Sequence, residues 1–230
     1  MSGNPSEARH LMRFFKTAPG QYGEGDKFLG VKVPTTRTII KEFRNSVTLS
    51  DIEHLSSSPW HEIRLAGFLL LIEIYNTAAK RSNSEAKDIV DYYISILQRG
   101  NNWDLVDLVA PKILGHRLLH HPEERQILYR LADMDGHLWH QRSAIVSCWT
   151  LIRDHQYDDA IRLSERLLSH PHDLIHKACG WMLREVGKRG GTDILYSFLE
   201  THAPQMPRTM LRYSIEKLSS DERKHFMSMK

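Results

Sequence analysis

The amino-acid sequence predicts an all-α fold, a solenoid of HEAT-like helical hairpins, and two observations carry this prediction. Trp60, Trp103 and Trp139 each open a segment in which a charged side chain follows one turn later, before a small and apolar helical stretch. They are 43 and 36 residues apart, and Ile175 follows Trp139 after another 36. A recurring period in this range is typical of stacked helical hairpins. In addition, no segment keeps the period of two that marks a strand for long enough to build a sheet.

The elements follow in order from this repeat. Residues 1–50 are interpreted as an N-terminal cap with a glycine-rich loop, and residues 51–230 as the repeats of one domain that spans 1–230. The loop, at 20–34, matches neither a dinucleotide-binding fingerprint nor a phosphate-binding loop, so we expect it to be structural. The copies of the repeat cover residues 58–74, 101–119, 137–152 and 172–186, with a degenerate copy at 207–218.

Helix starts are marked by capping residues and prolines. Ser50–Glu53 and Ser82–Glu85 have the spacing of capping boxes, in which the serine and the glutamate satisfy amides of the first turn. Pro59, Pro122 and Pro171 stand where a first helical residue is expected, because proline lacks the backbone donor that would be unused there.

Composition restricts the class of protein. The chain has 230 residues and a net charge of +3, and its 41% hydrophobic and 26% charged content fits a soluble globular protein. No run of 18 apolar residues predicts a membrane span, and the N-terminus lacks the apolar core of a signal peptide. Cys148 and Cys179 lie in apolar stretches, which suits a reducing cytoplasm.

Aligning the repeats places one position of each copy in a column. In a solenoid, equivalent positions of the inner helices line the concave face, so we expect a basic groove that holds the phosphates of a duplex. Salt bridges between repeats and solvated charges are the alternative interpretation of the same pattern. The column consists of Arg64, Asp107, Arg142, Lys177 and Arg208.

A helix predicted to start near Pro34 provides a further phosphate site. It opens with Thr35, Thr36 and Arg37, and donors at a helix N-terminus bind anions. Arg37 is therefore a further candidate for DNA binding.

Asp107 is the exception in this cationic column. A carboxylate repels a phosphate backbone but stabilises positive charge on a ligand. Trp103 precedes it by four residues, and Trp181 follows Lys177 by four. Aromatic faces attract cations, so the three side chains favour a cationic ligand at the groove wall. A role in the core is the alternative for each tryptophan.

Other chemistry has weaker support. His116 and His120, together with the group around His170–His176 and Cys179, have spacings that zinc ligands use, but no complete set of four appears. We therefore expect no metal. Lys177 is interpreted as a phosphate contact rather than as a Schiff-base nucleophile.

Four segments, taken together, form a specific pattern. They are FLGVKVP at 28–34, WDLVD at 103–107, WHQRSAIV at 139–146 and KACGWMLREVGK at 177–188. In this order and spacing they resemble the AlkD-type DNA alkylation repair glycosylases, which are built from HEAT-like repeats, and the resemblance covers almost the whole chain. It implies that Asp107 is the catalytic carboxylate, that Trp103 and Trp181 contact the sugar, and that Arg142 is the groove arginine. Asn102 departs from members that carry a second tryptophan there.

The resemblance also implies a function. The expected activity is hydrolysis of the N-glycosidic bond of cationic N3- and N7-alkylated purines in duplex DNA, with no cofactor and no base-flipping pocket. We expect a monomer in the bacterial cytoplasm or nucleoid. A non-catalytic binder of DNA structure and a protein-interaction scaffold are the alternatives.

Overall fold

The computed structural model describes residues 3–229, and its regular elements are helices. No strand occurs in this part of the chain, where the only β-type pairing is an isolated bridge between Lys27 and Trp60. No helix within 3–229 is long and apolar enough to cross a membrane. The prediction of an all-α, helical-repeat fold is confirmed. The chain divides into two compact units, of which the first ends at Val109 and the second begins at Ala110.

The first unit is organised around one long helix, α4, which packs against α2, α3 and α5 and also contacts α6. Most of its side chains are buried, including Leu65, Phe68 and Leu71. The helices are α1 (Pro5–Phe14), α2 (Val33–Ile40), α3 (Leu49–Ser56), α4 (His61–Arg81), α5 (Asn83–Ser95) and α6 (Trp103–Asp107), with a 3-10 turn at Leu97–Arg99.

The second unit is built on α9 and α11, which pack against each other and against most of their neighbours. Gly180 of α11 allows the close approach of α13, since a Cβ atom there would lie 2.5 Å from the Met210 carbonyl oxygen. The helices are α7 (His116–His120), α8 (Gln126–Ala132), α9 (Leu138–Arg153), α10 (Asp158–Arg166), α11 (Asp173–Lys188), α12 (Thr192–His202), α13 (Arg208–Ser214) and α14 (Ser220–Ser228), with a π-helical turn at Pro111–Gly115 and a 3-10 turn at Pro122–Glu124.

The predicted helix starts are partly correct. Ser82 caps α5 by accepting from the Glu85 amide, which is one half of the predicted capping box, and Pro122 begins a 3-10 turn as predicted. The predicted capping box at Ser50 is wrong, because Thr48 exchanges hydrogen bonds with Asp51 and starts α3 earlier.

Two of the prolines also lie outside the helices that they were expected to begin. Pro59 and Pro171 each precede the residue that caps the helix, Trp60 for α4 and His172 for α11. At α11 the Nδ1 atom of His172 accepts a hydrogen bond from the Leu174 amide, so an imidazole takes the place of a usual cap. The assignment of residues 1–230 to one domain, with a cap that ends at residue 50, stays a prediction.

Both cysteines lie in the core of the second unit. Cys148 and Cys179 are free thiols with no exposed surface. Burial raises the pKa of the Cys179 thiol to about 12, and it also raises that of Cys148. Both side chains are therefore protonated at neutral pH.

Candidate active site and nucleic-acid interface

The short helix α6 carries two of the predicted site residues. Trp103 and Asp107 are its first and last residues, so they lie four apart on one side of the helix, and both are half-buried. Asn102 precedes them and is fully buried. Its side-chain oxygen accepts from the Trp103 amide at 2.9 Å, and its nitrogen donates to the Phe15 carbonyl. Asn102, where some members of the resembled family carry a tryptophan, is therefore a capping residue that ties α6 to the chain after α1.

An aromatic cluster surrounds Trp103. Phe15 lies 5.4 Å from it between ring centroids, and Phe14 meets it edge-on at 5.9 Å. Phe28 stacks on the far side of Phe15 at 5.3 Å. Phe14 is 55% exposed, which is unusual for a large aromatic side chain and places a second aromatic surface beside Trp103. The sequence analysis missed Phe14, although a pair of phenylalanines at the end of a basic helix was visible.

Beneath this cluster lies a buried network of charged side chains. The His61 ring bonds Asp26 through Nδ1 and Asp104 through Nε2, both at 2.9 Å. Arg64 donates to the other oxygen of Asp26 at 2.7 Å. All four side chains are buried, and the two carboxylates balance the two cations. Buried charges are tolerated when they are paired in this way.

The charge of His61 follows from its partners. Burial disfavours the protonated ring, but the hydrogen bonds to Asp104 and Asp26 outweigh this effect and raise the pKa of His61 to about 9. Burial also disfavours the charged form of Asp26, which would raise its pKa. The hydrogen bonds from His61 and Arg64 nevertheless hold the pKa of Asp26 below its ordinary value. At neutral pH the ring is therefore an imidazolium that donates from both nitrogens.

This network corrects the prediction that Arg64 contacts DNA. Its guanidinium donates to Asp26, to the Asn101 side chain at 2.6 Å and to the Ser58 carbonyl at 2.8 Å, and the residue is only 5% exposed. The physical reason is that α4 is the central helix of its unit, so a charge on its inner face must be paired. For Arg64, the alternative interpretation of an internal salt bridge is the correct one.

The glycine-rich segment is held by a third buried carboxylate. Glu62 accepts three backbone hydrogen bonds, from Leu29 at 2.9 Å, Gly30 at 2.8 Å and Val31 at 3.1 Å. Gly30 has a φ of +82°, and a Cβ atom there would lie 2.1 Å from the Asn4 carbonyl oxygen. The FLGV motif is thus an anchored turn that fixes the start of α2.

On α2, Arg37 is half-buried and lies in the last turn of the helix, not at its N-terminus. Pro34 occupies one of the first two positions, and Lys32 provides no side-chain cap. This end of α2 corresponds to the predicted phosphate site.

The second unit contains the remaining predicted residues. Arg142 of α9 is buried and donates to the Leu174 carbonyl at the start of α11. Lys177 and Trp181 lie one turn apart on α11, and Lys177 pairs with Asp173 at 2.7 Å while its side chain stays 38% exposed. Arg208 is exposed at the first position of α13, where it donates to the Met227 carbonyl.

The predicted site draws on both units. Trp103 and Asp107 belong to the first, and Arg142, Lys177 and Trp181 belong to the second. That these side chains surround one ligand stays a prediction.

A basic cleft lies on α1 and the segment that follows it. Its volume is about 820 Å³, and Arg9, Arg13 and Lys16 line it. The spacing of four residues puts Arg9 and Arg13 on one face of α1, and Lys16 follows just after the end of that helix. Within residues 3–229, none of the three has an ion-pair partner. Sequence reasoning missed this cleft because α1 precedes the first repeat and has no place in the column.

Comparison with known proteins decides the family. The model of the family described as DNA alkylation repair enzyme matches residues 2–218. The chain belongs to this family. It is therefore an enzyme of DNA alkylation repair, and DNA is its substrate.

A solved structure has the same fold. This chain is similar to a predicted DNA alkylation repair enzyme from Enterococcus faecalis, with a TM-score of 0.76 and 18% sequence identity. The match covers 96% of this chain and 98% of that one. No curated protein matches the sequence.

The histidines of this repair enzyme do not form the metal clusters that their spacing suggested. In the part of the chain that the structure describes, one group brings three ligand atoms within 4.8 Å of one another, namely His121, Glu123 and Glu124. Glu124 is already held by the Arg117 guanidinium. The absence of a metal requirement stays a prediction.

The charged state of His61 predicts a loss of stability at alkaline pH. Its pKa rises from 6.5 to about 9 on folding, so its contribution is complete below pH 6.5 and disappears as the pH rises through 9. That contribution is at most about 3 kcal/mol. Urea unfolding of the wild type should show this loss between pH 6.5 and pH 9, and His61→Gln should not. A pH dependence that is the same in both proteins would contradict the charged network.

Proposed function

We propose that the protein is a monofunctional DNA glycosylase that hydrolyses the N-glycosidic bond of cationic N3- and N7-alkylated purines in duplex DNA. The observation that carries the proposal is the pair Trp103 and Asp107, presented by one short helix in a chain of the alkylation repair family. We also propose that the enzyme acts as a monomer and without a base-flipping pocket.

The chemistry suits a carboxylate that works without a general acid. An alkylated purine is already cationic, so the bond between C1′ and the base nitrogen can break with its electron pair going to the base, which leaves neutral. Positive charge then develops on the deoxyribose, as in glycoside hydrolysis. Asp107 stabilises this charge and orients the water whose oxygen bonds to C1′. The proton that the water loses passes to Asp107 and then to solvent.

The tryptophans act on the same charge. Trp103 and Trp181 pack against the deoxyribose and offer their ring faces to it, and this attraction grows as the sugar becomes cationic. An interaction that strengthens only towards the transition state raises the rate. The half-buried position of both side chains fits this role, because each keeps one part in the core and another accessible. Phe14, next to Trp103, extends the aromatic surface.

Several cations are proposed to hold the DNA backbone. Lys177 and Arg208 are accessible, and Arg37 is half-buried in the last turn of α2. Arg142 is buried and donates to the Leu174 carbonyl, so its proposed DNA contact rests on the resemblance to the glycosylase family alone. Arg9 and Arg13 of α1 and Lys16 just after it, which have no ion-pair partner among residues 3–229, join this set, while Arg64 leaves it.

Removing one phosphate contact should weaken binding to any duplex. Lys177→Ala, Arg208→Ala and Arg13→Ala are each expected to reduce the slope of log K against log salt by about one, because one fewer counterion is released. Fluorescence anisotropy with an undamaged duplex at several salt concentrations measures the slope.

Lys87→Ala is the matched control, because Lys87 is exposed and pairs with Asp91 at 2.6 Å, as Lys177 pairs with Asp173, but has no proposed DNA contact. A slope that stays at the wild-type value would show that the replaced residue is structural.

The proposed activity has a direct test. The purified protein should release 7-methylguanine from methylated duplex DNA and leave an abasic site with the strand intact. Borohydride should trap no protein–DNA adduct, because hydrolysis by water forms no Schiff base. A protein that binds the duplex but releases no base would favour the non-catalytic alternative.

A further inference from the structure

We propose that His61 is a positioning residue for the glycosylase reaction: by bridging Asp26 and Asp104, it holds α6 in the orientation that presents Trp103 and Asp107. This inference rests on the proposed function. His61 is assigned no contact with DNA, and it acts through the helix that Asp104 belongs to.

The helix that carries the reacting groups is too short to hold itself. α6 comprises five residues, whereas an isolated helix needs about 12–15 residues to be even marginally stable in water. Its position must therefore come from tertiary anchors. One is Asn102, at its start. The others are the buried side chains of Leu105 and Val106 and the hydrogen bond from His61 to Asp104. Asp104 lies within the first turn of α6, beside Trp103 and one turn before Asp107.

His61 is well placed to serve as such an anchor. It is the first residue of α4, a 21-residue helix at the centre of the unit, and its amide donates to the Lys27 carbonyl at 2.8 Å. Phe28 stacks on the ring at 4.5 Å, and Phe15 lies 5.0 Å away. The side chain is 3% exposed. Because the ring can move little, its hydrogen bond to Asp104 fixes the position of α6 relative to α4.

Among the residues that the structure describes, His61 provides the single hydrogen bond that the side chain of Asp104 receives. Its Oδ2 atom accepts from His61, and its Oδ1 atom is buried without a hydrogen-bond partner among residues 3–229. Asp26 differs, because Arg64 also bonds to it. Loss of the His61 donor would leave the Asp104 carboxylate buried and unpaired, and a buried, unpaired charge moves towards water. Movement of Asp104 displaces α6 with it.

The charged groups that face His61 come from three elements. Asp26 approaches from the loop before α2, Asp104 from α6, and Arg64 from the next turn of α4. The neighbouring Glu62 is engaged by the backbone of residues 29–31. A neutral ring has one N–H and would lose one of its two carboxylate bonds, so positioning requires the protonated form.

The test compares His61→Gln with the double variant His61→Gln/Asp104→Asn. The single variant should slow single-turnover release of 7-methylguanine about 10- to 100-fold at pH 7, since a displacement of about 1 Å can cost up to about 10²-fold. Affinity for an undamaged duplex should stay within about twofold, because the proposed phosphate contacts are other residues. Rates are normalised to the folded fraction from circular dichroism.

The double variant supplies the rescue. The amide nitrogen introduced by His61→Gln can take the place of Nε2 and bond the neutral amide introduced by Asp104→Asn, which leaves no buried carboxylate unpaired. Most of the wild-type rate should return at pH 7. The wild-type rate should fall as the pH rises through about 9, and the double variant should lack this fall. The double variant keeps the ion pair between Asp26 and Arg64 as the only charges of the network. It can therefore still test the inference through its pH profile if the single variant does not fold.

The outcomes separate this inference from the function it rests on. His54→Gln, which replaces an exposed histidine of the same unit, is the control and should match the wild type. If the wild type is active, a single variant within about threefold of its rate, or a double variant that keeps the alkaline fall, would overturn the positioning role alone. If the wild type releases no base, the proposed function and the inference are both overturned.

Discussion

Replacing Asp107 by asparagine is expected to slow release of 7-methylguanine by about 10²–10³-fold, because it removes the group proposed to stabilise the charge on the sugar. Affinity for the duplex should be unchanged or slightly higher, since a carboxylate that repels phosphates has gone. Single-turnover release from methylated duplex DNA and anisotropy on the same duplex measure the two quantities.

Asp88→Asn is a suitable control for this experiment. Asp88 is exposed on α5 of the same unit and has no proposed role. Release by Asp107→Asn within about threefold of the wild type would remove Asp107 from the mechanism, whatever happened to DNA binding.

The enzyme is expected to select its substrates by charge. Cationic adducts such as 7-methylguanine and 3-methyladenine should be released, while neutral lesions such as uracil and hypoxanthine should persist. A neutral base is a poor leaving group without a general acid, and none is assigned to this site. Oligonucleotides with one defined lesion, analysed for base release, provide the measurement.

Variants of the two tryptophans test the same prediction in a second way. Trp103→Ala and Trp181→Ala should each slow all cationic substrates by similar factors, because both rings are proposed to act on the sugar and not on the base. Efficient release of uracil by the wild type would overturn the leaving-group argument. A tryptophan variant that affected one alkyl base alone would instead place that ring against the base.

The sequence was sufficient for the fold class and for the placement of Trp103 and Asp107 on one helix. Both depend on local periodicity, which survives into the structure because a helix spaces its residues in a fixed way. The helix starts at Pro59 and Pro171 were misplaced, because in each case the residue after the proline is the N-cap, Trp60 for α4 and His172 for α11. Arg64 was misassigned because a column of equivalent positions does not reveal which of its members the core will enclose.

The hydrogen bond between His61 and Asp104 could have been predicted from the repeat pattern. His61 follows Trp60 directly, and Asp104 follows Trp103, so the two residues occupy the same position in successive copies. Their separation of 43 residues equals the repeat spacing. A search of each repeat position for side chains of opposite charge would have found this pair. Asp26 would have escaped it, because the loop that contains it lies outside the repeats.

The buried thiols bear on how such an enzyme survives where it is needed. Methylating agents that attack DNA are electrophiles, and the thiolate is the strongly nucleophilic form of cysteine. Cys148 and Cys179 are the only cysteines of the chain, and neither exposes any surface. Burial also keeps both protonated. The protein therefore presents no thiolate to the chemicals that damage its substrate, and its own sulfur chemistry is protected during the exposure in which repair is required.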